Sequence, residues 1–169
     1  MIAFLFFIYF NRFVVLGNRI DNSLSQINVQ LKRRADLIPN LIETVKGFAK
    51  HEKAAIKAVT DARKALVSAR GVENKVEADK QLESALKTIF AIAEGYPDLK
   101  ANTNFLELQR ELSATEDKIA YARQYYNSSV LTYNNVITTI PGMWFAGGRE
   151  KHAFLEIPED ERKPVQVEF

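Results

Sequence analysis

Cysteine is absent from the 169 residues, which excludes disulfide scaffolds, Cys-ligated zinc, iron–sulfur clusters and thiol nucleophiles. Proline and glycine are sparse, at five and seven. The stretches 40–96 and 98–140 contain no proline, so long helices have room to run. Histidine occurs twice, as His51 and His152. Neither sits in a His-Glu-x-x-His or Glu-x-x-His pattern, so the sequence offers no zinc-protease or di-iron bundle site. Walker loops, Gly-x-Gly-x-x-Gly turns and Gly-x-Ser-x-Gly elbows are missing too. The reading is a protein that is not an enzyme, with no catalytic residue, cofactor or metal. Asn127-Ser-Ser129 matches a glycosylation acceptor only formally, because it falls within a helical pattern.

Charge is nearly balanced at +2 but unevenly spread. Residues 1–70 carry 12 Lys/Arg against 5 Asp/Glu, a surplus of +7, and residues 71–169 carry 11 against 16, or −5. The two halves attract each other. Lys32-Arg33-Arg34 and the spaced Lys46, Lys50, Lys53, Lys57 and Lys64 read as a solvated helix face. Without interleaved aromatics for base stacking, no nucleic-acid partner is expected.

Uncharged residues fill the opening run Met1 to Phe10, which is hydrophobic on every face. Ten helical residues reach about 15 Å, roughly half of a bilayer's hydrocarbon core. Residues 1–10 therefore read as the C-terminal part of a membrane anchor, with the natural anchor beginning upstream. Ile2, Leu5, Phe6, Phe7, Ile8, Tyr9 and Phe10 are its lipid-facing candidates, and membrane lipid is the expected partner. A bacterial single-pass membrane location follows. Arg12 and Arg19 favour a cytoplasmic domain under the positive-inside rule, while upstream residues also count, so the side stays open.

Periodicity organises the rest. Phe13, Leu16, Ile20, Leu24, Ile27 and Leu31 form a stripe spaced by three and four, which is the mark of a helix. Asp36 is the expected N-cap of a second helix with Pro39 in its first turn. That helix runs to about residue 70 on the stripe Ile38, Leu41, Val45, Phe48, Glu52, Ala55, Val59, Ala62, Leu66 and Ala69. Gly71 ends it. A shorter stripe, Val76, Leu82, Leu86, Ile89 and Ala93, stops at Gly95 and Pro97, and the last runs from Phe105 to Ile140 before Pro141-Gly142.

Four stripes on short connections predict an all-α, antiparallel up-and-down four-helix bundle over 11–140, with long helices packed as in coiled coils and helix 1 continuous with the anchor. Residues 141–169 are expected as a non-helical tail on or near the bundle end. Within it, Trp144 and Phe145 are a candidate docking surface, with packing on the bundle preferred over contact with lipid or a protein partner.

Polar residues on or beside the seams are the candidate site: Arg34, Asp36, Asn40, Glu52, Arg63, Gln109, Glu116, Arg123 and Asn127. They read as a structural network fixing helix register, in preference to an internal ligand site. Removal of Glu116 or Arg123 is expected to strand a partly buried charge.

Several segments together resemble the LemA family of bacterial membrane-associated helical proteins. They are Tyr9-Phe-Asn11, Gln30-Leu-Lys-Arg-Arg-Ala-Asp-Leu-Ile-Pro-Asn-Leu41, Val45-Lys-Gly-Phe-Ala-Lys-His-Glu52, Tyr96-Pro-Asp-Leu-Lys-Ala-Asn102, Phe105-Leu-Glu-Leu-Gln-Arg-Glu-Leu112 and Glu116 through Tyr126-Asn127. The resemblance implies a single-pass anchor, a compact helical domain outside the bilayer, no established enzymatic activity or cofactor, and for some relatives a link to organising specialised membranes. The expected role is a membrane-tethered scaffold or interaction module with unidentified protein partners. The alternative is a ligand-binding or envelope-sensing domain with an internal polar site.

Overall fold

The computed structural model describes residues 2–155, and within these every regular element is a helix. Helix α1 spans Ile2–Phe48, α2 Lys53–Ser68, α3 Val72–Ala93, the single turn α4 Pro97–Lys100, α5 Thr103–Thr138 and the single turn α6 Gly142–Phe145. The side chain of Ile2 and residues 156–169 of the expected tail lie outside the described residues.

Helix α1 corrects the expected helix boundary. It runs unbroken from the apolar start and through Pro39, so no helix begins at Asp36. Proline has no N–H to donate, which strips the carbonyl four residues back of its helical partner. That carbonyl belongs to Ala35, and Arg63 Nε donates to it at 2.8 Å. An outside donor thus replaces the lost bond. Asp36 stays exposed and pairs with Lys32 at 3.8 Å, one turn away, instead of capping a helix.

The first real break is at Ala49–Glu52. Glu52 occupies the N-cap position of α2 but makes no capping bond; its carboxylate accepts a 2.8 Å bond from the Tyr96 hydroxyl instead. Helices α2 and α3 pack against each other, joined by a three-residue turn in which Gly71 adopts φ 81°, a left-handed conformation that suits glycine. Pro97 opens α4, and Asn102 caps α5 by accepting from the Phe105 N–H at 3.1 Å. Helix α5 ends at Thr138, so Ile140, expected as the last seam residue, is exposed.

The chain divides into two compact units, Ser25–Ala120 and Met1–Leu24 with Tyr121–Phe169. Helices α1 and α5 each contribute to both. In the first, the core is built from Ile27, Leu31, Ile38 and Leu41 of α1, Val59 and Leu66 of α2, Leu82, Leu86 and Ile89 of α3, and Leu112 and Ile119 of α5. In the second it comes from Phe13, Leu16 and Ile20 of α1 and Tyr126, Val130, Tyr133 and Val136 of α5.

Candidate functional site

Arg34 is the largest fully buried side chain of the Ser25–Ala120 unit. It donates through Nη1 to Asp79 at 3.1 Å and through Nη2 to Glu116 at 3.4 Å. Asp79 is wholly buried, whereas the Glu116 side chain is 45% exposed. A buried guanidinium demands a buried counter-charge, and Asp79 supplies it. Asp79 was not among the sequence candidates. Its signal is the six-residue gap between Val76 and Leu82, which it divides into two steps of three and so lies on the seam.

Burial first, and then the nearby charge of Glu83, hold the Glu116 carboxyl above its ordinary range; Arg34 and Lys87 pull it down, while Asp117 adds to the rise. The attraction of Arg34 is thus outweighed by burial together with the like charge of Glu83.

The other candidates disperse. Glu52 pairs with Tyr96, and that bond, followed by burial, raises the Tyr96 hydroxyl above its usual range. Arg63 serves Ala35. Asn40 and Gln109 are exposed; Asn40 and Glu111 both line an open groove between α1 and α5, whose rim holds the exposed Arg33–Glu111 pair at 2.6 Å. This groove and the two lined by residues of α2, one shared with α3 and one edged by lysines, do not include Arg34 or Glu116. Among the described residues no group of His, Asp and Glu is placed to hold a metal.

Arg123 and Asn127 belong to the unit formed by the chain's two ends. Arg123 is buried. Asn127 Oδ1 accepts from the Leu155 N–H and its Nδ2 donates to the Leu155 carbonyl, both at 2.9 Å. Asn134 repeats this pair on His152, again at 2.9 Å for both bonds. Seven helical residues rise about 10.5 Å and three extended residues about 10 Å, so an extended segment running against the direction of α5 meets both amides in step. The Tyr126 hydroxyl donates to the Ala153 carbonyl between them at 3.0 Å, and the Tyr133 ring meets His152 edge-on at 4.8 Å.

At the other end of this unit the anchor candidates and the segment after α5 come together. Phe145 stacks on Tyr9 at 5.6 Å and meets Phe6 at 6.4 Å. Gly142 is buried, and a Cβ there would lie 2.1 Å from the Val136 carbonyl oxygen and 3.3 Å from the Tyr9 ring. Only glycine fits that approach. The Arg149 guanidinium lies 4.8 Å over Phe13 and 5.9 Å over Phe10. Residues 142–145 form a helical turn where a non-helical tail was expected. Packing was expected for both aromatics, yet only Phe145 packs; Trp144 is 69% exposed. Successive helical residues point about 100° apart, so one turn cannot bury both.

Phe4, Phe6, Phe7, Ile8 and Phe10 are all exposed, with Phe4 at 69% and Phe7 at 63%, while Leu5 and Tyr9 are half-buried. The helix is long and apolar enough to cross a membrane, with mean hydropathy 1.3 over an 18-residue window of which only 17% is buried. A core helix of that composition would be covered.

The sequence profile of the LemA family matches residues 23–169. Protein LemA of Metamycoplasma hominis is 28% identical over 142 residues, covering 82% of this chain and 65% of that protein. Magnetosome protein MamQ of Magnetospirillum gryphiswaldense is 26% identical over 163 residues, with 81% and 60% covered. Magnetosome protein MamQ 2 of Paramagnetospirillum magneticum is 25% identical over 178 residues, with 88% and 65% covered. The chain thus spans 60 to 65% of the length of these relatives. On a profile match that takes in α2 to α6, most of α1 and the buried Arg34–Asp79 pair, the chain belongs to the LemA family.

Proposed function

We propose that this LemA-family chain is a membrane-tethered helical module, anchored by one membrane helix and serving as a scaffold or interaction domain with no enzymatic chemistry of its own. The observation that carries this is the start of α1: an exposed collar of phenylalanine and isoleucine on a helix that continues, without a joint, into the domain. Such a surface is costly in water and favourable in lipid. In this reading α1, α2, α3 and α5 form an antiparallel four-helix bundle, and the Arg34–Asp79–Glu116 cluster fixes its register, since a slipped helix would leave the guanidinium buried without an acceptor. The likeness to magnetosome proteins supports a role in association at a bacterial membrane.

A second reading, a sensor with an internal polar site, draws on Arg34 Nε, which is buried without an acceptor among the described residues. The tether is tested by expressing the full chain in bacteria and extracting membranes with alkaline carbonate. The chain is expected to stay in the pellet, and a Phe7→Lys, Ile8→Lys variant to be released, because each lysine in the hydrocarbon costs about 3 kcal/mol. Release of the parent chain by carbonate refutes the tether.

A further inference from the structure

We infer that the segment after α5 is a second lipid contact: Ile140, Met143 and Trp144 form an apolar wedge that enters the same bilayer leaflet as the start of α1. This rests on the membrane reading of α1 given above.

Four observations carry it. First, the wedge is exposed although large and apolar, at 67% for Ile140, 49% for Met143 and 69% for Trp144. Second, it is locked to the anchor: Phe145 stacks on Tyr9 and meets Phe6, and buried Gly142 closes against Tyr9. Third, the charges give a level. Arg149 lies over Phe10 and Phe13, and Arg12 leaves the helix between them. Phe145 meets the helix about one turn nearer its N-terminus, at Phe6 and Tyr9. Guanidinium groups settle among headgroups while their neighbours reach toward the acyl chains, so the wedge falls on the lipid side of the Arg12–Arg149 level. Fourth, no charged residue occurs from Gln124 to Gly148; no ion has to be desolvated for the wedge to enter. An exposed tryptophan at that depth matches the amphipathic ring preferred at the membrane interface.

Trp144 is the sole tryptophan, so its fluorescence reports this segment alone. The full chain is reconstituted into phosphatidylcholine–phosphatidylglycerol vesicles, recovered by flotation, and quenched either by lipids brominated near the headgroup end of the acyl chain or by aqueous iodide. The inference expects blue-shifted emission, clearly reduced by the brominated lipid and little affected by iodide. Floated protein whose Trp144 is quenched by iodide and not by bromine overturns the wedge while leaving the tether intact. Floated protein shielded from both quenchers overturns it in favour of a protein neighbour, such as a second copy. Failure to float overturns the tether and the wedge together.

Discussion

Arg63 donates its Nε–H to the carbonyl oxygen of Ala35 at 2.8 Å, and Ala35 is the residue whose helical partner Pro39 removes. Ala35 is buried, so no water is at hand to do the same. The side chain of α2 thereby repairs a gap in the backbone of α1, and the helix continues where a proline would ordinarily end or bend it.

This repair predicts a thermodynamic coupling. Arg63→Met strands a buried carbonyl and is expected to lower stability by about 1–3 kcal/mol. Pro39→Ala restores an N–H at position 39, so the same arginine substitution made on that background should cost clearly less. Urea unfolding of the four proteins in a double-mutant cycle measures the difference; equal costs on both backgrounds rule out the repair.

The Arg34–Asp79 pair predicts a large loss when one partner is removed. Asp79→Ala leaves a buried guanidinium facing only half-exposed Glu116, and is expected to cost about 3–5 kcal/mol. Replacing both partners by apolar residues, Arg34→Met with Asp79→Leu, should recover most of it, since neither desolvated charge then remains. Thermal melts of the single and double variants decide the point.

Glu116 behaves in the opposite sense. Its folded carboxyl titrates above the ordinary 4.5, so the folded chain holds this proton more tightly than the unfolded one. Stability contributed by the protonated form is therefore lost as pH rises through the raised value. Glu116→Gln, neutral at every pH, is expected to be at least as stable as the parent at pH 7 and to lose that advantage in acid below the ordinary glutamate value. Urea midpoints across pH 4 to 8 test this, and a variant distinctly weaker at pH 7 contradicts it. On this account the larger cost falls on Asp79, the partner that is wholly buried.

The two asparagines of α5 make a fourth prediction. Asn134→Ala removes two bonds to His152 and is expected to cost about 1–3 kcal/mol at roughly 1 kcal/mol per bond. Hydrogen exchange at the His152 amide should accelerate with it. Unaltered protection of that amide shows that the amide side chain is not what holds it.

Helix was legible in the sequence because the three-and-four spacing of Phe13, Leu16, Ile20, Ile27 and Leu31 reports one buried face. The boundaries were less so. Pro39 reads locally as a start signal, and only Arg63, 28 positions beyond Ala35, supplies the donor that lets the helix pass. The true break at 49–52 carries no proline and no capping side chain, and an apolar stripe can be drawn straight through it. Arg34, Glu116 and Arg63 were recognisable as polar residues near seams, but their partners depend on which helices face one another. Asp79 lay hidden because a carboxylate at a seam position interrupts a count of apolar residues. Trp144 and Phe145 were visible as a pair, whereas their separate fates follow from a helical turn too short to announce itself.

The pairing of Asn127 with Leu155 and Asn134 with His152 engages main-chain atoms alone. These four bonds alone therefore set no side chain at 152 or 155, which the Tyr133 contact with His152 and the burial of Leu155 constrain separately, yet adding or deleting one residue between the two asparagines would swing one amide by about 100° off the shared line. What this part of the molecule conserves is a distance, and divergent relatives should betray it as an interval in α5 that never changes length.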